Sequence, residues 1–173
     1  MDFLNRPTST LRLGGALVLA SLIMALVAQY GFELWPCDLC IYQRYPAVAA
    51  VAIMVMAEFI KKPRLMLALF MMACIITGDI AIYHTGVEQG WWPGPTSCSG
   101  DGLNGALLSL EELKGQIMGA PIIRCDKPAF EFMGITMASA NAIFSFGLAA
   151  MAFISLVKSK KTGNTVILKE HRD

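Results

Sequence analysis

The chemistry open to this chain rests on five cysteines. Cys37 and Cys40 form a Cys-x-x-Cys pair, Cys98 and Cys125 are far apart in sequence, and Cys74 stands alone. A bridge between Cys37 and Cys40 closes so short a loop that it removes little unfolded-chain entropy. Such a pair suits thiol–disulfide exchange better than stapling. A four-cysteine zinc site generally uses two close pairs, which Cys98 and Cys125 do not form. Three readings therefore compete: structural bridges, a zinc site, and a thiol relay linking a protein partner to an electron acceptor.

Local sequence favours the relay. Pro36 is expected to stop one helix, and a second helix is expected to start around Cys40. A thiolate at a helix start is stabilised by the positive end of the helix dipole. Arg44 follows Cys40 by one helical turn and shares its face. An ionisable residue near the start of a membrane span is a functional candidate by default. Making a disulfide from two thiols requires an electron sink. The sequence has no dinucleotide fingerprint, no haem-attachment motif and no convincing metal cluster. A membrane-dissolved quinone is the acceptor that remains, with Arg44 placed to polarise a carbonyl that takes up negative charge.

The elements that must hold these groups are membrane spans. The 173 residues are 55% hydrophobic and only 16% charged, and the net charge of +1 provides no basic field for nucleic acid. Spanning a bilayer takes roughly 20 apolar residues in a helix. Leu13–Phe32 and Phe132–Val157 carry no charge, Ile41–Ile60 carries only Arg44 and Glu58, and Leu65–His84 carries only Asp79 before its terminal histidine. The pattern predicts an all-α membrane protein of one domain. Its four transmembrane helices are expected at about 13–32, 41–60, 65–84 and 135–157. The first run is too long for a signal-peptide core and lacks a cleavage site, so it is expected to be retained. An amphipathic soluble bundle would show polar stripes that these runs lack.

Basic residues set the expected orientation. Arg6 and Arg12 precede the first helix, Lys61, Lys62 and Arg64 occupy the connection at 61–64, and five more follow the fourth helix in the tail at 158–173. Both termini are thus expected inside, with outer loops at about 33–40 and 85–134. The second outer loop is rich in Gly and Pro. Leu107, Leu110, Leu113 and Ile117 recur in it at helical spacing, which predicts a short interfacial helix. Trp91 and Trp92 read as interface anchors, the polar tail as poorly ordered, and Cys74 as a small core residue.

The run Cys37-Asp38-Leu39-Cys40-Ile41-Tyr42-Gln43-Arg44 is followed by Tyr83-His84, by Trp92-Pro93-Gly94-Pro95-Thr96-Ser97-Cys98, and by Cys125-Asp126 ahead of the fourth helix. Motifs of these kinds in this order resemble the bacterial disulfide bond formation protein B family (DsbB), over nearly the whole chain. The resemblance implies an enzyme of the bacterial inner membrane with cytoplasmic termini and periplasmic redox loops. It would reoxidise a periplasmic DsbA-like dithiol oxidase and pass the electrons to the membrane quinone pool, ubiquinone or menaquinone. By the same resemblance Cys98 forms the mixed disulfide with the partner and Cys125 attacks Cys37. Cys40 is then released as a thiolate in charge-transfer contact with the quinone. Arg44 matches the family's quinone-site arginine, and His84 a histidine near the quinone or else a polar helix cap. Gln43 stands where an acid is common. Glu88, four residues after His84, could face the same site but reads first as a solvated loop charge, and Asp79 has no assigned role. The alternatives are a membrane scaffold or transporter subunit with structural disulfides, and an enzyme like vitamin K epoxide reductase. The motif order and the position of Arg44 argue against the latter.

Overall fold

The structure, a computed structural model, describes residues 6–95, 125–126, 131–132 and 134–170, with backbone alone at 132 and 160–170. Helix α1 spans Pro7–Gly31, α2 Asp38–Phe59, α3 Pro63–Glu88 and α4 Met137–Glu170. A two-residue hairpin, β1 Glu131–Phe132 and β2 Ile135–Thr136, precedes α4. The first three helices and Met137–Ser159 of α4 are long and apolar enough to cross a membrane. This is the all-α four-helix membrane bundle that the hydrophobic runs imply.

The helix limits follow from local chemistry. Pro7 and Pro63 lie in the first turns of α1 and α3, where a missing N–H costs nothing. The first helix therefore starts a turn and a half before the uncharged run, and Arg12 falls inside it. Arg12 is accommodated by a two-pronged ion pair to Glu58 of α2, at 2.7 and 2.5 Å. Helix α1 ends at Gly31, well before Pro36. Glu33 then turns left-handed at φ +56°, and Pro36 keeps the approach to α2 extended. Helix α3 runs past His84 to Glu88, so Glu88 is the last helical residue rather than part of a loop. Helix α4 starts after Thr136, whose Oγ1 accepts the Ser139 backbone N–H at 3.2 Å as an N-cap. Its backbone stays helical to Glu170, through the tail expected to be poorly ordered. No proline interrupts that tail, and its lysines favour helix. The proposed interfacial helix around 107–117 lies outside the described residues.

Lipid offers no water to drive helices together, so they associate through close packing. Helix α3 is the centre, packed most extensively on α4 and α2. Leu67, Phe70 and Ala81 of α3 and Ala152 of α4 are fully buried, and Cys74 is in the same core. Glycines permit the approach. A Cβ on Gly14 would stand 2.8 Å from the Phe70 ring, and one on Gly78 would stand 2.7 Å from the Phe146 ring. Large apolar side chains such as Ile23, Met24, Val55 and Phe153 cover the outside, as a lipid-facing surface requires. Asp79 is also on an exposed face, beside a groove shared with Tyr42, Tyr45 and Tyr83.

Gly78→Val should lower stability by about 1–3 kcal/mol, because the Phe146 ring has to leave its seat. Gly147→Ala should be neutral or slightly stabilising, since nothing lies within 4 Å of its added Cβ. Thermal unfolding of both variants in detergent checks the contrast.

A thiol cluster and cavity at one end of the bundle

The first residue of the site is set by the start of α2. Cys37 is extended, at φ −74° and ψ 169°, and is the N-cap of that helix. Its Sγ accepts the Cys40 backbone N–H at 3.4 Å, the role a serine or aspartate oxygen usually fills. The sequence places Cys40 at the helix start, whereas the structure puts the capping sulfur one turn earlier. The Cys37 and Cys40 sulfurs are 3.2 Å apart, in contact without a bond. Cys125, 1% exposed, hydrogen-bonds to Cys37 as well. Cys37 is therefore the common neighbour of two other sulfurs. Leu39 and Val87 pack around the cluster. Cys98 lies outside the described residues.

Helix α3 contributes the next layer. His84, 3% exposed, brings Nε2 to 3.5 Å from Cys37 Sγ. Its Nδ1 lies 2.9 Å from Gln43 Nε2. Gln43 Oε1 accepts from Asn141 Nδ2 at 2.6 Å, and the Ser145 hydroxyl donates to Asn141 Oδ1 at 3.4 Å. Glu88, one turn beyond His84, has its side chain buried rather than solvated. Its Oε1 is 3.7 Å from His84 Nε2, and its Oε2 has no hydrogen bond among the described residues. Trp92 closes the end of α3, stacked on Tyr83 and donating to the Tyr83 carbonyl at 2.9 Å.

These contacts act on the Cys37 thiol. Its hydrogen bonds with Cys125 and then Cys40 outweigh burial, and His84 adds to them, so Cys37 is held well below the ordinary thiol range. A thiolate is the nucleophile in sulfur exchange, and the cluster stabilises one at its central sulfur.

Below the cluster is a cavity of about 360 Å³. That lies at the lower end of the range for small-molecule sites. Cys37, Cys40 and Arg44 from α2 line it, with His84 from α3 and Phe144 from α4. Arg44 Nη1 donates to Gln29 Oε1 of α1 at 2.7 Å. Met24 stands at the edge and is 70% exposed, so the cavity reaches the lipid-facing side of α1. Its walls are mainly apolar, with the Arg44 guanidinium, the Cys37 and Cys40 thiols and the Glu88 carboxyl among the polar groups, a lining that suits a flat, mostly apolar ligand with acceptor oxygens.

The Cys37, Cys40 and His84 donor atoms lie within 4.8 Å of one another, close enough for a metal. The imidazole is arranged against that use. Metal-bound histidine usually donates its other ring N–H to an acceptor, whereas the Gln43 amide nitrogen faces Nδ1.

Cys37, Cys40, Cys125, Arg44 and His84, candidates from the sequence, all lie at one end of the bundle. Gln43, a departure from the family pattern, and Asn141, unmarked by any motif, join them there. Both were accessible from the sequence: Gln43 is one turn from Cys40, and Asn141 is an amide within an uncharged membrane run.

Sulfurs in series at the head of an apolar helix bundle define a membrane protein built for thiol exchange. The chain matches the model of the family described as disulfide bond formation protein DsbB over residues 7–155. It belongs to that family, whose role is thiol oxidoreduction in disulfide formation. It is also similar to an uncharacterized protein of Rickettsia prowazekii (strain Madrid E), with 29% identity over 138 residues, 79% of each chain. No solved structure matches it.

The depressed Cys37 titration has two consequences of fixed sign. Alkylation of Cys37 in the reduced protein should stay fast at pH values below the ordinary thiol pKa of about 8.5, and Cys125→Ala should move the profile upward. The folded state also binds fewer protons at Cys37 than the unfolded chain. Its stabilisation is therefore complete above the ordinary thiol pKa and is lost as pH falls toward the depressed value. Mass-spectrometric labelling across pH reads the first effect. A profile matching an unperturbed thiol would refute it.

Proposed function

We propose that this protein is a quinone-dependent thiol oxidase that reoxidises a DsbA-like periplasmic dithiol partner. The observation that carries the reading is the sulfur series: Cys125 against Cys37, Cys37 against Cys40, and Cys40 on a cavity with Arg44. In this reading the protein lies in the bacterial inner membrane with both termini cytoplasmic, as the basic residues at one end of the bundle favour.

The exchange balances in four steps. A partner thiolate attacks Cys98 of a Cys98–Cys125 disulfide, giving a mixed disulfide and a Cys125 thiolate. Cys125 attacks Cys37 of the Cys37–Cys40 disulfide, and Cys40 leaves as a thiolate. The second partner thiol displaces Cys98, which releases the oxidised partner. Cys98 then attacks Cys125, restoring the first disulfide and leaving Cys37 and Cys40 reduced. A quinone, when bound, takes the two electrons and two protons released as Cys37 and Cys40 close again. Arg44 holds a positive charge at the cavity, where a carbonyl oxygen gains electron density. The direction requires a strong acceptor, because DsbA-type partners are oxidising at about −120 mV and each 30 mV corresponds to about 1.4 kcal/mol.

Purified protein supplied with quinone should oxidise a reduced DsbA-like partner over many turnovers. Cys40→Ser should abolish turnover; normal turnover by that variant would leave a membrane scaffold with structural disulfides as the better account. Arg44→Ala should raise the quinone concentration needed by about tenfold or more, the worth of a hydrogen bond to a charged group. Capture of the partner should be little changed. Equal loss of both would make Arg44 a structural residue.

A further inference from the structure

Ser145, Asn141, Gln43, His84 and Cys37 form one continuous chain across α4, α2 and α3. Each amide has one donor end and one acceptor end, so fixing the direction of one bond fixes the rest. Asn141 gives an N–H to Gln43 Oε1, which leaves the Gln43 NH₂ to face His84 Nδ1. An NH₂ opposite Nδ1 requires a lone pair there. In a neutral imidazole the proton is then on Nε2.

The other side of the ring is compatible with that tautomer. Nε2 faces Cys37 Sγ at 3.5 Å and Glu88 Oε1 at 3.7 Å. Cys37 Sγ already serves as an acceptor, since it caps α2 by taking the Cys40 N–H. Glu88 Oε2 has no hydrogen bond among the described residues. An Nε2–H on this side faces both groups as a donor, so the tautomer that Gln43 sets also suits Cys37 and Glu88.

We propose that Gln43 and Asn141 are positioning residues that lock His84 in its Nε2–H tautomer, so that the ring donates to the central sulfur, Cys37. The consequence for turnover rests on the proposed relay. In that relay Cys37 is the sulfur common to both disulfide exchanges, and the donor steadies it whenever it carries negative charge. An amide at position 43 supplies this without placing a second charge beside the cluster. A carboxylate there would accept from Nδ1–H and draw a proton onto Nδ1.

The tautomer can be read directly, without quinone or partner. The chain contains two histidines, His84 and His171, so the full-length protein labelled with ¹⁵N-histidine in detergent gives a short spectrum. His84→Gln assigns the lines. The expected result for His84 is an unprotonated Nδ1 and a protonated Nε2. In Gln43→Glu, Nδ1 should become protonated. In Asn141→Ala, which releases the far end of the Gln43 amide, the single tautomer should give way to a mixture. Retained circular dichroism and thermal unfolding of Gln43→Glu, an isosteric change, separate the effect from misfolding.

The alkylation profile of Cys37 supplies a second reading. Among the described residues, the titratable groups that face this thiol are Cys40 from α2, Cys125, and His84 and Glu88 from α3. With those four unchanged, Asn141→Ala should shift the pH profile of Cys37 alkylation upward, toward that of an ordinary thiol. A protonated Nδ1 in the parent protein overturns the proposal, as does an unchanged tautomer in both variants. Either result leaves the sulfur relay standing. Conversely, an active Cys40→Ser variant would remove the relay and leave the tautomer intact.

Discussion

A histidine with both ring nitrogens buried at the end of a membrane bundle has to find both partners inside the protein. His84 is 3% exposed, so its nitrogens turn to partners within the protein. Gln43 of α2 meets one and Cys37 meets the other. Gln43 then needs a partner for its own far end, and Asn141 of α4 provides it. This one requirement sets the rotation of three helices relative to one another. A turn of α2 by one residue would swing Gln43 by about 100° around the helix axis and strand His84, Gln43 and Asn141 together. Hydrogen bonds between membrane helices average only about 0.6 kcal/mol, whereas leaving a buried group unmet costs about 1–3 kcal/mol. The chain therefore selects one arrangement more than it stabilises the bundle.

The other end of the bundle is fixed by different means. Arg12 pairs with Glu58 between α1 and α2, Thr10 Oγ1 donates to Ser155 Oγ at 3.0 Å between α1 and α4, and Arg64 Nε donates to Ser159 Oγ at 3.0 Å between α3 and α4. Between the two polar ends the contacts are apolar and close, with Gly14 and Gly78 admitting aromatic rings. Such a midsection holds the helices together but discriminates weakly between registers, since one apolar surface resembles another. Polar matching at both ends removes that freedom. The cysteine positions follow from the register so fixed: with Gln43 on His84, the α2 N-cap falls beside the same ring.

The bundle was legible in the sequence because an uncharged run of about 20 residues, wound as a helix, matches the thickness of a bilayer core. The cysteines and Arg44 were legible because their spacing carries chemistry. The details that failed are ones that tertiary contact decides. Arg12 looks like a flanking residue until Glu58 arrives from another helix. Glu88 looks like a loop charge because hydropathy falls after His84, although the helix continues by one turn. The identity of the capping cysteine depended on where α2 begins, and helix ends are the hardest feature to place from pattern. Gln43 and Asn141 have meaning only as a pair, and nothing along the chain links residues so far apart in sequence.

The division of labour within the cluster follows from which sulfur is in the middle. Cys37 touches Cys125 on one side and Cys40 on the other, and Cys37, Cys40 and Arg44 line the cavity while Cys125 does not. In the proposed relay, a molecule in the cavity and a protein at the surface then meet different sulfurs. Electrons from the surface pass through Cys37 before they reach Cys40. That sulfur therefore has two duties, acting as electrophile when Cys125 attacks it and as a stabilised anion once reduced. In the proposed tautomer a fixed imidazole N–H serves both, since it steadies the anion and stays in place as the thiolates come and go. Helix N-cap, thiol neighbours and imidazole N–H all act on the same atom, and the Arg44 guanidinium is kept a helical turn away, on the cavity where charge accumulates last.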